Sequence, residues 1–146
     1  LRIPGIYAPD RAGGTPKRRL GRKTPVLVPE ADVFTNHIHA DDLARACWLS
    51  LVGRASYAAV NVTDDSDMRM SQYMDFAAAV YQLDKPPRMT LEQIQAHLTP
   101  MALSFMQESR RLVNTRMKTR LGLQLRYPTV REGLTQIPQP FHPSHR

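Results

Sequence analysis

His37 and His39 stand two positions apart, and Asp41 and Asp42 follow them. On a strand that spacing turns both imidazoles to one face, and imidazole with carboxylate is the donor set of a zinc-type site. Ligating histidines need convergent partners, which the sequence does not disclose, so we assign no metal. Tyr81 and Lys85 have the Tyr-x-x-x-Lys spacing in which a lysine poises a phenol to exchange a proton with a substrate hydroxyl. Lys85 directly precedes Pro86, which biases it away from helix, so we read this pair as structural and assign no catalytic residue. Arg11, Arg18, Arg19 and Arg22 could grip phosphate or carboxylate groups through paired N–H donors, with a solvated basic loop as the plain alternative. Gly13-Gly14 lies in that loop with neither the strand before it nor the helix after it that a phosphate-cradling turn requires.

The elements that must position these residues follow from pattern. Residues 1–9 read as a short apolar strand, and 10–25 as a loop without periodicity. Val26–Val28 and Val33–Ile38 are β-branched runs separated by a turn, which predicts a small hairpin. Asp41 is the expected N-cap of a helix over Asp42–Val52, closed by Gly53, with Cys47 inside it as a buried small hydrophobe. Tyr57–Val62 reads as a strand and 63–67 as a polar turn. Ser71 is the expected N-cap of a helix through Tyr81, on which Asp75 is exposed, and Pro86-Pro87 forbids continuation. Thr90-Leu91-Glu92-Gln93 is a capping box for a helix to Leu98, and Pro100 suits the first turn of a helix reaching roughly Asn114. A helix over Arg116–Leu121 ends before Gly122, and Leu123–Tyr127 is extended. Thr129–Glu132 is a second capping box for a helix to about Ile137, and residues 138–146 read as a disordered tail.

With 146 residues, 42% of them hydrophobic and 23% charged, the chain has the size and composition of one globular domain. Cys47 is its one cysteine, which excludes an internal disulfide and fits a reducing compartment. No apolar run reaches the length of a membrane span and no leader pattern is visible, so we expect a cytoplasmic protein. The net charge of +7, with five basic residues in 17–23, raises a small basic nucleic-acid-binding module as a competing reading. No aromatic interleaves that cluster and no recognition motif accompanies it, so nucleic acid is not expected as a partner.

Three segments, Leu1-Arg2-Ile3-Pro4-Gly5-Ile6-Tyr7-Ala8-Pro9, Asn36-His37-Ile38-His39-Ala40-Asp41-Asp42-Leu43 and Leu125-Arg126-Tyr127-Pro128-Thr129, occur in this order. Together they resemble the extended short-chain dehydrogenase/reductases, the NAD(P)-dependent epimerase/dehydratases, in their carboxyl-terminal, substrate-binding portion. Arg110, Arg111 and Asn114 resemble that family's Lys-Arg-x-x-Asn segment. The resemblance implies an α/β fold, with residues 1–137 as the substrate-binding portion of a Rossmann-type enzyme. It places Pro4, Gly5 and Ile6 beside the nicotinamide, and Tyr7, Arg11, His37, His39 and Asp42 around the substrate, with His37 where arginine is common. It implies NAD or NADP in the complete protein and a small-molecule substrate such as a nucleotide sugar. The family's glycine-rich turn and Tyr-x-x-x-Lys pair precede the segment that residues 1–11 resemble, so this chain is expected to bind no cofactor and to be inactive alone. Substrate identity, the choice of NAD or NADP and the oligomeric state are not legible.

Overall fold

The computed structural model describes residues 1–11, 13–53, 59–96 and 98–135. Strand β1 (Gly5–Tyr7) pairs in parallel with β4 (His37–His39), in the register Gly5 to His37, Ile6 to Ile38 and Tyr7 to His39. Parallel pairing requires a crossover, and the chain between them supplies it. That crossover holds α1 (Lys17–Gly21), β2 (Val26–Leu27), a 3-10 turn over Pro29–Ala31 and β3 (Phe34–Thr35). Helix α2 (Ala40–Val52) leaves β4 directly. Further on, β5 (Met68–Arg69) runs into α3 (Met70–Tyr81), and β6 (Arg88–Met89) is followed by α4 (Leu91–Gln95) and α5 (Pro100–Gln107). Helices α6 (Thr115–Arg120) and α7 (Val130–Thr135) complete the mixed α/β fold.

The alternation along β1 and β4 divides the core in two. On one face Ile38 joins Ala46, Val60, Val62, Met117 and Leu123. On the other, Tyr7 joins Val26, Tyr73, Met74, Ala77 and Val130. The outer side of α2 carries no such cover: Trp48 is 65% exposed and Leu51 81%.

Several expected elements differ, each for a physical reason. The hairpin does not form: β2 pairs in parallel with β6, and β3 pairs antiparallel with β5. The turn between the two runs instead buries Asp32, whose carboxylate accepts from Val33 N at 2.9 Å and Ser71 N at 3.2 Å. Ser71 is therefore a buried residue inside α3 and Arg69 is its N-cap, with Arg69 N donating to Gln72 Oε1 at 2.9 Å. Residues 10–25 are not all loop, because α1 forms over a single buried anchor, Leu20. His39 replaces Asp41 as the cap of α2, its Nδ1 accepting from Asp41 N at 3.2 Å. Cys47 is exposed rather than buried, on the uncovered side of α2. Asp75 is half-buried and accepts from Arg88 Nη2 at 2.7 Å. Helix α5 stops at Gln107 because Asn36 captures the next backbone: its Nδ2 donates to Arg110 O at 2.7 Å and its Oδ1 accepts from Leu112 N at 2.9 Å.

Other expectations match. The Thr90 capping box starts α4 with Gln93, although that helix ends at Gln95, and Glu132 reaches back to Thr129 N at 3.0 Å to start α7. The strand expected over Tyr57–Val62 lies partly outside the described residues. Within them, Arg2 and Asn61 form a single parallel bridge. The tail at 138–146 and the expected end of α7 at Ile137 also lie outside them.

Candidate functional site

The two-residue spacing of His37 and His39 places both on the face of β4 that carries Tyr7 on β1. Tyr7 meets both rings edge-on, at centroid distances of 6.2 Å to His37 and 5.2 Å to His39. Tyr73 of α3 lies against His37 at 4.1 Å, and Tyr127 stacks on His39 at 3.7 Å. Five rings thus line one face of the β1–β4 pair and reach its carboxyl end at Tyr7 and His39, the edge where open α/β sheets bind ligands.

Burial sets the protonation of this group. It pulls the His37 imidazole down to about 4, helped by the Arg19 guanidinium, so His37 is neutral near pH 7. Burial also lowers His39, against the pull of Asp41 and Asp42, and raises the phenols of Tyr7 and Tyr73. Asp64, in the turn after Val62, is pushed up to about 7 by burial, against a hydrogen bond from Ser66 N at 2.9 Å. The result is a set of neutral rings beside one carboxyl, Asp64, that exchanges its proton near pH 7. Two of its atoms have no partner among the described residues: His37 Nδ1 and Asp64 Oδ2.

Asp42 is fully buried at the start of α2. Its carboxylate accepts from Arg126 N at 2.9 Å, Tyr127 N at 2.8 Å and Arg45 Nη1 at 2.9 Å. It thereby holds the segment that stacks Tyr127 on His39. Asn114 does a similar job opposite, its Nδ2 donating to Thr63 O at 2.9 Å and Asp65 Oδ1 at 2.8 Å. Arg11 is exposed and donates to Ile6 O at 3.3 Å. Pro4, Gly5 and Ile6 run along β1, and a side chain at Gly5 would stand 3.4 Å from Asn36 O and His37 Cδ2.

Two clefts adjoin the ring column and share Phe34 and Thr35. One, of about 390 Å³, is polar, lined by Asn36, Asp64, Asp67, Arg111 and Asn114 among others. The second has a similar volume of about 390 Å³ and mostly apolar walls including Leu27, Met70, Leu98 and Met106, with Arg19 at its side. Thr35 connects them to the column, its Oγ1 lying 3.3 Å from His37 Nε2. Phe34 is held between the guanidinium groups of Arg69 and Arg111, at 4.8 and 4.9 Å.

The structure brings together Tyr7, His37 and His39 and joins Asp42 to them through Tyr127. Asp64 and Tyr73 carry no sequence signal for this place, whereas Arg19 is one of the four arginines expected to grip an anion. Asp64 reads as one acid of a polar turn and Tyr73 as a member of an apolar stripe. Tyr81 and Lys85 lie apart in the backbone path: Gln82, with a φ of 54°, ends α3 between them, and Lys85 Nζ is 3.8 Å from Asp75. Gly13-Gly14 forms a turn closed on itself, Gly14 N donating to Arg11 O at 2.8 Å. Among the described residues no group of three or more His, Cys, Asp or Glu could hold a metal, and no helix is long and apolar enough to cross a membrane.

No family model matches the chain. A 3-diazoavenalumate denitrifying reductase from a Streptomyces species is 32% identical over 143 residues, which are 92% of this chain and 45% of that protein. A functionally unknown protein of Silicibacter pomeroyi shares 34% identity and superposes with a TM-score of 0.76, over 91% of this chain and 45% of that one. A human epimerase family protein solved with NADPH has the same fold at 17% identity and a TM-score of 0.74, covering 92% of this chain and 45% of its own. The UDP-glucose 4-epimerase of Thermotoga maritima, solved with UDP-glucose, does so at 18% identity and a TM-score of 0.66, over 92% and 42%. The chain spans about half the length of the curated relative it matches, a share consistent with a carboxyl-terminal portion. The ordered motifs, the parallel β1–β4 pair with its histidines and these likenesses converge on one fold, that of the NAD-dependent epimerase/dehydratases, which this chain shares over a carboxyl-terminal portion.

Proposed function

We propose that this chain forms the substrate-binding part of an NAD(P)-dependent epimerase/dehydratase or reductase whose substrate is a nucleotide sugar or a related carbonyl compound. The observation that carries this reading is the column of neutral rings along β1 and β4, reaching their carboxyl ends at Tyr7 and His39, with a cleft on each side of Phe34 and Thr35. The reductase named among its relatives, and the NADPH and UDP-glucose held by proteins of the same fold, support it.

In this reading Tyr7, His37 and His39 orient the substrate, Arg11 meets its charged end, and Asp42 fixes His39 and Tyr127 from behind. Pro4, Gly5 and Ile6 border the nicotinamide. The residues present fit such a ring: Gly5 is exposed and has no side chain, so a flat group can rest on the β1 backbone. Bound there, the dinucleotide would supply hydride transfer. The Gly14 N–H is spent within its own turn, on Arg11 O. We place the substrate-binding portion at residues 1–137 and the tail at 138–146. The protein is cytoplasmic in this account, and the chain alone performs no turnover.

The test is titration of the purified chain with UDP-glucose, NADH and NADPH, followed by protein fluorescence. Saturable binding of the sugar nucleotide or of a carbonyl substrate without dinucleotide is the expected result. Saturable dinucleotide binding would overturn the placement of the cofactor site outside this chain. The basic-module alternative has no support in the comparisons, and α1 turns Leu20 of the basic cluster inward and half-buries Arg19.

A further inference from the structure

The apolar cleft holds a cation that the fold leaves without an oxygen partner. Arg19 is half-buried at its side, and among the described residues its one side-chain hydrogen bond runs from Nη1 to the Met70 sulfur at 3.7 Å. A thioether is a weak acceptor, and a guanidinium carries five N–H donors in a rigid fork. The acidic groups at this cleft are committed elsewhere: Asp32 to the backbone N–H groups of Val33 and Ser71, and Glu108 to Arg110. Burial correspondingly pulls the Arg19 guanidinium below the ordinary arginine range. A desolvated charge left unpaired is costly, and a ligand that brings an anion relieves the cost.

The walls decide what else that ligand must be. Leu27, Val33, Phe34, Met70, Leu98 and Met106 offer carbon and thioether surface. A volume of about 390 Å³ lies at the small end of ligand pockets. A sugar nucleotide would bring two phosphates and many hydroxyls to a cleft with one free cation, leaving most of those groups unmatched. A compact acid with an apolar skeleton matches both features at once.

We propose that this cleft takes a small carboxylate with an apolar skeleton, its carboxylate paired with Arg19 and its carbon frame packed on Phe34 and Met70. The proposal rests on the substrate-binding reading above and narrows it to the carbonyl-compound branch. Arg19 acts here as a specificity-determining residue, through the forked geometry that guanidinium and carboxylate share.

The test is calorimetric titration of the full chain with cinnamate, with cinnamamide and, separately, with UDP-glucose, repeated on Arg19→Gln. Cinnamate is expected to bind at least about tenfold more tightly than its amide, with that discrimination lost in the variant. Equal affinity for acid and amide in the unaltered chain overturns the proposal, and this comparison stands even if the variant fails to fold. UDP-glucose binding without cinnamate binding also overturns it while leaving the substrate-binding reading intact. Binding of none of the three overturns both.

Discussion

Asp42 shows how one buried carboxylate can organise a site it does not enter. Both oxygens are occupied by Arg126 N, Tyr127 N and Arg45, and removing them leaves the buried Tyr127 N–H and the part-buried Arg126 N–H without acceptors. Asp42→Ala is therefore expected to cost about 3 kcal/mol or more, read as a lowered thermal midpoint, with Asp42→Asn intermediate because one acceptor survives. An unchanged midpoint in the alanine variant would contradict this role. Asp64 makes a pH-dependent prediction. Burial pushes its carboxyl from 3.8 up to about 7, so the folded chain holds a proton that the unfolded chain has released. Its contribution is fully present below pH 4 and is lost as the pH rises through about 7. His37, lowered to about 4, works the other way: its contribution is present above the usual histidine range and lost as the pH falls through about 4. Asp64→Asn, which keeps the acceptor for Ser66 N, should match the parent near pH 4 and gain on it up to pH 7, by at most about 1.4 kcal/mol per pH unit. Urea midpoints at several pH values measure this, and a difference independent of pH would contradict it. Neither effect was legible in the sequence, because an acid in a polar turn gives no sign that the turn packs inward.

Helix α7 docks through a contact with no slack. A Cβ at Gly133 would lie 2.2 Å from the Tyr7 hydroxyl, and that hydroxyl donates to Thr129 O at 3.3 Å. Alanine in a helix ordinarily gains up to about 1 kcal/mol over glycine, but here the overlap should win, and Gly133→Ala is expected to lose about 1–3 kcal/mol. Chemical denaturation checks the sign, and a stabilised variant would contradict the packing. At this scale the sequence was legible wherever signals were local. The capping boxes at Thr90 and Thr129 and the glycine after α2 are read from neighbours within four residues, and each has its expected place. Pairing was not local. Val26–Leu27 looks like half of a hairpin until Arg88–Met89 arrives from 62 positions away. Helix α1 is too short to show a stripe, and α5 ends where a side chain from the other end of the fold, Asn36, takes over its backbone.

Across the whole molecule, the likeness to the epimerase/dehydratase fold was legible because the motifs follow in order, although each is modest. The column of Tyr7, His37 and His39 comes directly from strand periodicity once β1 and β4 are paired. Tyr73, Asp64 and Arg19 come from elements whose arrival at the column only the tertiary structure shows. The uncovered side of α2, with Trp48 and Leu51 exposed, agrees with a chain that spans about half the length of its curated relative. In the function proposed for it, the chain carries substrate recognition and leaves dinucleotide recognition elsewhere. The most direct test of that division is the fluorescence titration with NADPH, NADH and candidate substrates side by side. Saturation by a substrate in the absence of dinucleotide, and none by either dinucleotide, is the expected result, whereas saturable NADPH or NADH binding to the chain alone would refute the proposed division.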